Sequence, residues 1–148
     1  MPTPDPQLTR VIRAFDAAFL RMCQATTVEQ LEDELSNMLH QLYRLAEMVK
    51  YRLGDARFYA ATAGLKEARA ALWIRTYDTH DLVMTAELGD RFSDYFTQMY
   101  GVLEWKPLTS LHLPTDKHHR HLDYATAFEC RTVLDTIRLA FDQLVQLA

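Results

Sequence analysis

VEQLEDELSNMLHQLYRLAEMVKYRL, residues 28–53, decides the fold class. Val28, Leu31, Leu35, Met38, Leu42, Leu45 and Val49 follow one another in alternating steps of three and four, the spacing of a single helix face, and Leu39, Ala46 and Leu53 widen that stripe. Glu29, Glu32, Asp33 and Glu34 stand at its start and Arg44, Lys50 and Arg52 near its end, each sign where the helix macrodipole stabilises it. Thr27 precedes Gln30 by three residues, a spacing at which hydroxyl and amide each satisfy an otherwise orphan backbone N–H. Gly54 follows as a terminator.

The same period extends to both sides. Upstream, Leu8, Val11, Ile12, Phe15, Phe19 and Met22 predict a helix that runs out near Ala25, behind an extended leader over residues 1–6 whose three prolines cannot begin a helix interior. Downstream, Asp55 caps a third helix with Phe58, Ala61, Leu65, Ala68 and Leu72 inward, and its small residues allow a neighbour to approach closely. The stripe continues through Arg75 and Thr79. A short segment from His80 to Leu88 follows, either separate or one rod with the third helix, and then an aromatic stripe of Phe92, Tyr95, Phe96, Met99 and Tyr100 closed by Gly101.

Residues 102–120 break the pattern. Pro107 and Pro114 bracket a Thr-, Ser- and His-bearing stretch, and Val102 to Trp105 suits an extended strand. Helical spacing resumes near His121 with Leu122, Ala125 and Phe128, restarts near Arg131 and Thr132, and continues through Val133, Ile137, Ala140, Phe141, Leu144 and Val145. With 4 glycines and 5 prolines in 148 residues, none of the prolines between 7 and 106, the turn residues of a sheet-rich fold are missing. The expectation is an all-α, single-domain bundle of four to six helices over residues 7–148.

Charge and cysteine content narrow the function. The formal net charge is -4, so a nucleic acid or an anionic membrane meets no general attraction and any such contact has to be local. Cys23 and Cys130 match no metal or disulfide spacing and read as buried packing residues of a cytoplasmic protein. No apolar run reaches the length of a membrane span, and Met1 to Asp5 lacks the basic start of a signal peptide. Phosphate-cradling glycine loops and nucleophile elbows are absent.

Two constellations remain. Arg75-Thr76-Tyr77-Asp78-Thr79-His80 has the form Arg-x4-His, and an arginine on an apolar stripe calls for an acceptor, a ligand or a subunit boundary. Cleavage of RNA through its 2′-hydroxyl needs a group that moves a proton near neutral pH and a cation facing the phosphate, roles that histidine and arginine fill without a metal. On a regular helix five positions turn through about 500°, leaving the two side chains about 140° apart. A working pair therefore requires a break between them or two copies converging in a dimer. His118, His119, His121 and Asp123, with His112 nearby, form the second constellation, a candidate zinc or transition-metal cluster or else a solvated loop.

A helical domain of this length with Arg75 and His80 at a helix junction resembles the HEPN superfamily. That resemblance implies a metal-independent endoribonuclease without cofactors, acting as a homodimer and often paired as a toxin with an antitoxin-like protein. Arg75 would neutralise the phosphate, His80 would serve as general acid and base, and Tyr77 or Asp78 would orient the imidazole. Thr76 stands where family members frequently carry Asn, Asp or His. The alternative from a different class is a non-catalytic helical module for dimerisation or partner binding. Trp73, Tyr77, Phe92, Tyr95, Phe96, Tyr100 and Trp105 read as core or dimer interface, because Asp78, Asp81, Glu87, Asp90 and Asp94 surround them against Arg91 alone.

Overall fold

A computed structural model of the chain describes residues 3–80, 96–99 and 102–148, apart from the side chains of 28, 78–80, 96–99 and 102–103. It is an all-α bundle carrying one short β-hairpin. The helices are α1 (Pro6–Gln24), α2 (Val28–Leu53), α3 (Asp55–Thr62), α4 (Lys66–His80), the single turn α5 (Arg120–Asp123) and α6 (Val133–Val145). Among the described residues no helix is long and apolar enough to cross a membrane.

Local chemistry sets the helix starts. Pro6 is the first helical residue of α1, where its missing N–H is harmless, and the Asp5 carboxylate accepts from Gln7 N at 2.8 Å. The leader is thus one residue shorter than its prolines imply. At α2 the anticipated capping box is present: Gln30 N donates to Thr27 Oγ1 at 3.2 Å while Thr27 N donates to Gln30 Oε1 at 3.3 Å.

The core follows the stripes. Val11, Phe15, Ala18 and Met22 of α1 meet Leu35, Met38, Leu42, Leu45 and Val49 of α2, and Phe15 stacks on Phe141 of α6 with ring centroids 3.8 Å apart. Helix α4 lies at the centre, against α2, α3, α5 and α6. Ala68, Ala70 and Ala71 let these neighbours close on it, and Trp73 and Ile74 fill what remains. Trp105 is also fully buried; its indole N–H donates to Thr136 Oγ1 at 2.6 Å and its ring stacks on Phe128.

Several expectations need correction. The stretch from Asp55 through Leu72 is two helices, because the chain turns at Ala63–Gly64 and Leu65 N bonds back to Thr62 O at 2.9 Å. Within α3 the inward face runs through Phe58 and Thr62, one turn apart, and Ala61 is exposed. Within the aromatic stripe, Phe96–Met99 is a strand, β1, paired antiparallel with β2 (Val102–Trp105) in the register Phe96↔Trp105 to Met99↔Val102. Aromatic and β-branched residues suit that pairing, and Trp105 anchors it through Trp105 N to Arg131 O and Cys130 N to Trp105 O, both 2.9 Å. The segment His80 to Leu88 beyond His80, together with Phe92, Tyr95 and Tyr100, lies outside the described residues.

Phe128 is buried as its spacing predicts, but Leu122 is exposed, since α5 runs into a π-type turn (Tyr124–Phe128) closed by Glu129 N to Tyr124 O, which brings Tyr124 and Ala127 into the core beside it. Cys23 and Cys130 are both exposed. Cys23 sits about 100° round α1 from buried Met22, and Cys130 occupies a left-handed turn with φ 58°.

Candidate anion-binding cleft

Helix α2 has a second face, outside its apolar stripe, that carries His40, Tyr43, Arg44, Glu47 and Lys50 at helical spacing. Tyr43, Glu47 and Lys50 line one wall of a cleft of about 240 Å³; Arg69, Leu72 and Thr76 of α4 line the opposite wall. Phe58, Tyr59 and Thr62 of α3 close one end with Asp116, Lys117, His118 and Arg120 of the following loop.

Three cations of this cleft, Arg69, Arg120 and Lys50, are held in place. Arg69 Nε donates to Asp123 Oδ2 at 2.7 Å and its Nη2 to the carbonyl of His118. Arg120 grips Asp116 through both oxygens, Nε to Oδ2 at 2.8 Å and Nη2 to Oδ1 at 3.2 Å, and its backbone N–H donates to Oδ2 as well. Burial alone would raise the Asp116 pKa, but these charge-assisted bonds outweigh it and hold the carboxyl down at about 2. Lys50 lies over the Tyr59 ring at 5.6 Å. Burial opposes its charge, yet Tyr59, Asp55 and Glu47 together raise its pKa, so it stays an ammonium.

At the open end Arg75 rests on the Tyr43 ring, 4.6 Å from the centroid. Partial burial lowers the pKa of His40, and the guanidiniums of Arg75 and Arg44 lower it further. Lining residues bring four cations, Lys50, Arg69, Lys117 and Arg120, against two carboxylates, Glu47 and Asp116. Arg75, on the ring of Tyr43, adds one more beside the lining of an otherwise acidic chain.

The Arg-x4-His residues are placed differently from one another. Helix α4 is continuous from Lys66 to His80, so positions 75 and 80 stand about 140° apart around its axis. Arg75 joins the cleft mouth; the side chains of Asp78 and His80 lie outside the described residues. Tyr77 turns its hydroxyl to the carbonyl of Pro114 at 3.2 Å and its ring edge-on to Trp73, which ties α4 to the loop.

The histidine cluster is dispersed into separate duties. His118 stacks on Tyr59, His121 Nδ1 accepts from Asp116 N at 3.0 Å, Asp123 holds Arg69, and His112 and His119 occupy left-handed turns. Among the described residues no group of three His, Cys, Asp or Glu is arranged to hold a metal ion. What sequence reading missed was Arg69. An arginine between buried Ala68 and Ala70 of an alanine-rich helix was the available signal. No family model, curated protein or solved structure matches the chain.

Proposed function

We propose that this protein is a helical binding module whose cleft between α2, α3, α4 and the 116–120 loop receives the anionic part of a ligand. The supporting observation is one concave site lined by Lys50, Arg69, Lys117 and Arg120 in a chain of net charge -4, with the guanidiniums of Arg69 and Arg120 fixed by Asp123 and Asp116. Guanidiniums already fixed by carboxylates lose little freedom when an anion arrives, and such preorganisation favours binding. Titration of the labelled protein with inorganic pyrophosphate tests this. Amide shifts confined to residues 43–50, 58–62, 69–76 and 116–120 support the cleft, and shifts scattered over the surface or absent would remove it.

A second reading, metal-independent RNA cleavage, is supported by Arg75, which stands at the mouth of this cationic cleft. In that reading a homodimer is obligatory: the continuous α4 separates positions 75 and 80 within one chain, so the histidine facing a given Arg75 comes from the second copy. An antitoxin-like partner belongs to this reading alone.

A further inference from the structure

We propose that the loop closing the cleft is a proton-released latch: it stays closed while His121 Nδ1 is unprotonated and loosens when the imidazole takes a second proton. The latch is the bond from Asp116 N to His121 Nδ1 at 3.0 Å. A backbone N–H only donates, so Nδ1 meets it as a lone pair and the ring's one proton sits on Nε2. In the doubly protonated ring both nitrogens are donors, and turning the ring over does not restore an acceptor. The bond and the imidazolium therefore exclude each other.

Everything else that Asp116 offers is engaged within the same turn. Its carbonyl accepts from His119 N at 2.9 Å and its carboxylate holds Arg120 through both oxygens. His121 in turn sets its ring against buried Trp73 of α4, with centroids 6.3 Å apart, so the Asp116 bond fastens the loop to the central helix. Lys117, His118 and Arg120, which line the cleft, are carried by this closed turn. The surrounding charges do not rescue a protonated His121. Asp116 and Asp123, the carboxylates of the segment, are committed to Arg120 and Arg69. Arg69 from α4, Arg120, Lys117 and the imidazoles of His118 and His119, the last 6.1 Å from the His121 ring, are all of like sign to an imidazolium once the histidines are protonated. Tyr77 and Tyr124, packed with His121 around Trp73, donate their hydroxyls to the carbonyls of Pro114 and Lys106 and offer it no charge. An imidazole ordinarily takes its second proton near about pH 6.5, whereas the Asp116 carboxyl, at about 2, keeps its charge throughout mild acid. Of the two side chains that make the latch, histidine is thus the one whose type changes charge there.

Nitrogen-15 NMR of the imidazoles and of the Asp116 amide tests the latch without any ligand. At pH 7.5 the His121 ring should show the Nε2–H tautomer with an unprotonated Nδ1, and the exchange protection of the Asp116 amide should fall about tenfold or more between pH 7.5 and pH 5. His121→Asn places an amide oxygen where Nδ1 stood and does not titrate, so its protection should be the same at both pH values, whereas His121→Ala should lack protection at both. His119→Asn should keep the wild-type fall. An Nδ1–H tautomer at pH 7.5, or wild-type protection that does not change with pH, would overturn the latch on the unmodified protein alone. A fall that persists in His121→Asn, or disappears in His119→Asn, would overturn it too by assigning the effect to another group. Each of these failures leaves the anion cleft standing, because the latch does not depend on what the cleft binds.

Discussion

Arg69 and Asp123 meet at 2.7 Å across 54 positions of chain, with side chains 17% and 16% exposed. This pair fastens the central helix α4 to α5 and, through the Arg69 bond to the His118 carbonyl, to the loop that closes the cleft. Asp123→Ala would leave a guanidinium largely desolvated without its counter-charge and is expected to cost about 2–3 kcal/mol, read as a lower urea midpoint at constant m-value. Replacing both residues by apolar ones of similar volume should cost less than the single change.

Asp116 links stability to acid pH. Its folded pKa of about 2 lies below the unfolded value of 3.8, so its contribution is complete above about pH 4 and disappears as the pH falls through 2. Because the pair is partly solvated, the effect is on the order of 1 kcal/mol. Thermal unfolding from pH 5 to pH 2 should show Asp116→Asn less stable at the upper end and converging with the wild type at the lower.

His40 reports on the mouth of the cleft. Its pKa is lowered by partial burial and then by Arg75 and Arg44, so Arg75→Gln should raise it. The measurement is an NMR titration of the His40 ring protons. No change on removing Arg75 would show that the guanidinium does not stand over Tyr43 in solution.

RNA cleavage, the second reading, makes a demand that a binding module does not. Arg75→Ala and His80→Ala chains should each be inactive alone and regain about a quarter to a half of the activity when mixed, because one of the two sites in a mixed dimer is intact. Mixed chains without activity, beside an active wild type, would exclude a site shared between copies.

Thr27→Ala should destabilise the protein by about 1 kcal/mol by unmaking the first turn of α2, and Thr27→Ser should restore most of the loss. Chemical denaturation of the three proteins is sufficient.

The residues whose roles were legible in advance share a local cause. Leu35, Met38, Leu42, Leu45 and Val49 are buried and Thr27 caps Gln30, because a helix face and an N-cap are settled within a few residues of chain. Errors arose where a distant partner intervened. Phe96 and Thr97 are extended because β2 is anchored by Trp105, and Leu122 is turned out because the π-type turn brings Tyr124 inward, its hydroxyl donating to the Lys106 carbonyl at 2.6 Å.

By itself the sequence determined the helical class, the limits of α2 and α6 and most of the core, since hydrophobic period and capping act over one or two turns. Tertiary structure alone decided which charges share a cleft. Tyr43, Tyr59, Arg69 and Asp116 belong to four separate segments, and their proximity follows from how α2, α3 and α4 pack, a long-range outcome that no spacing along the chain encodes.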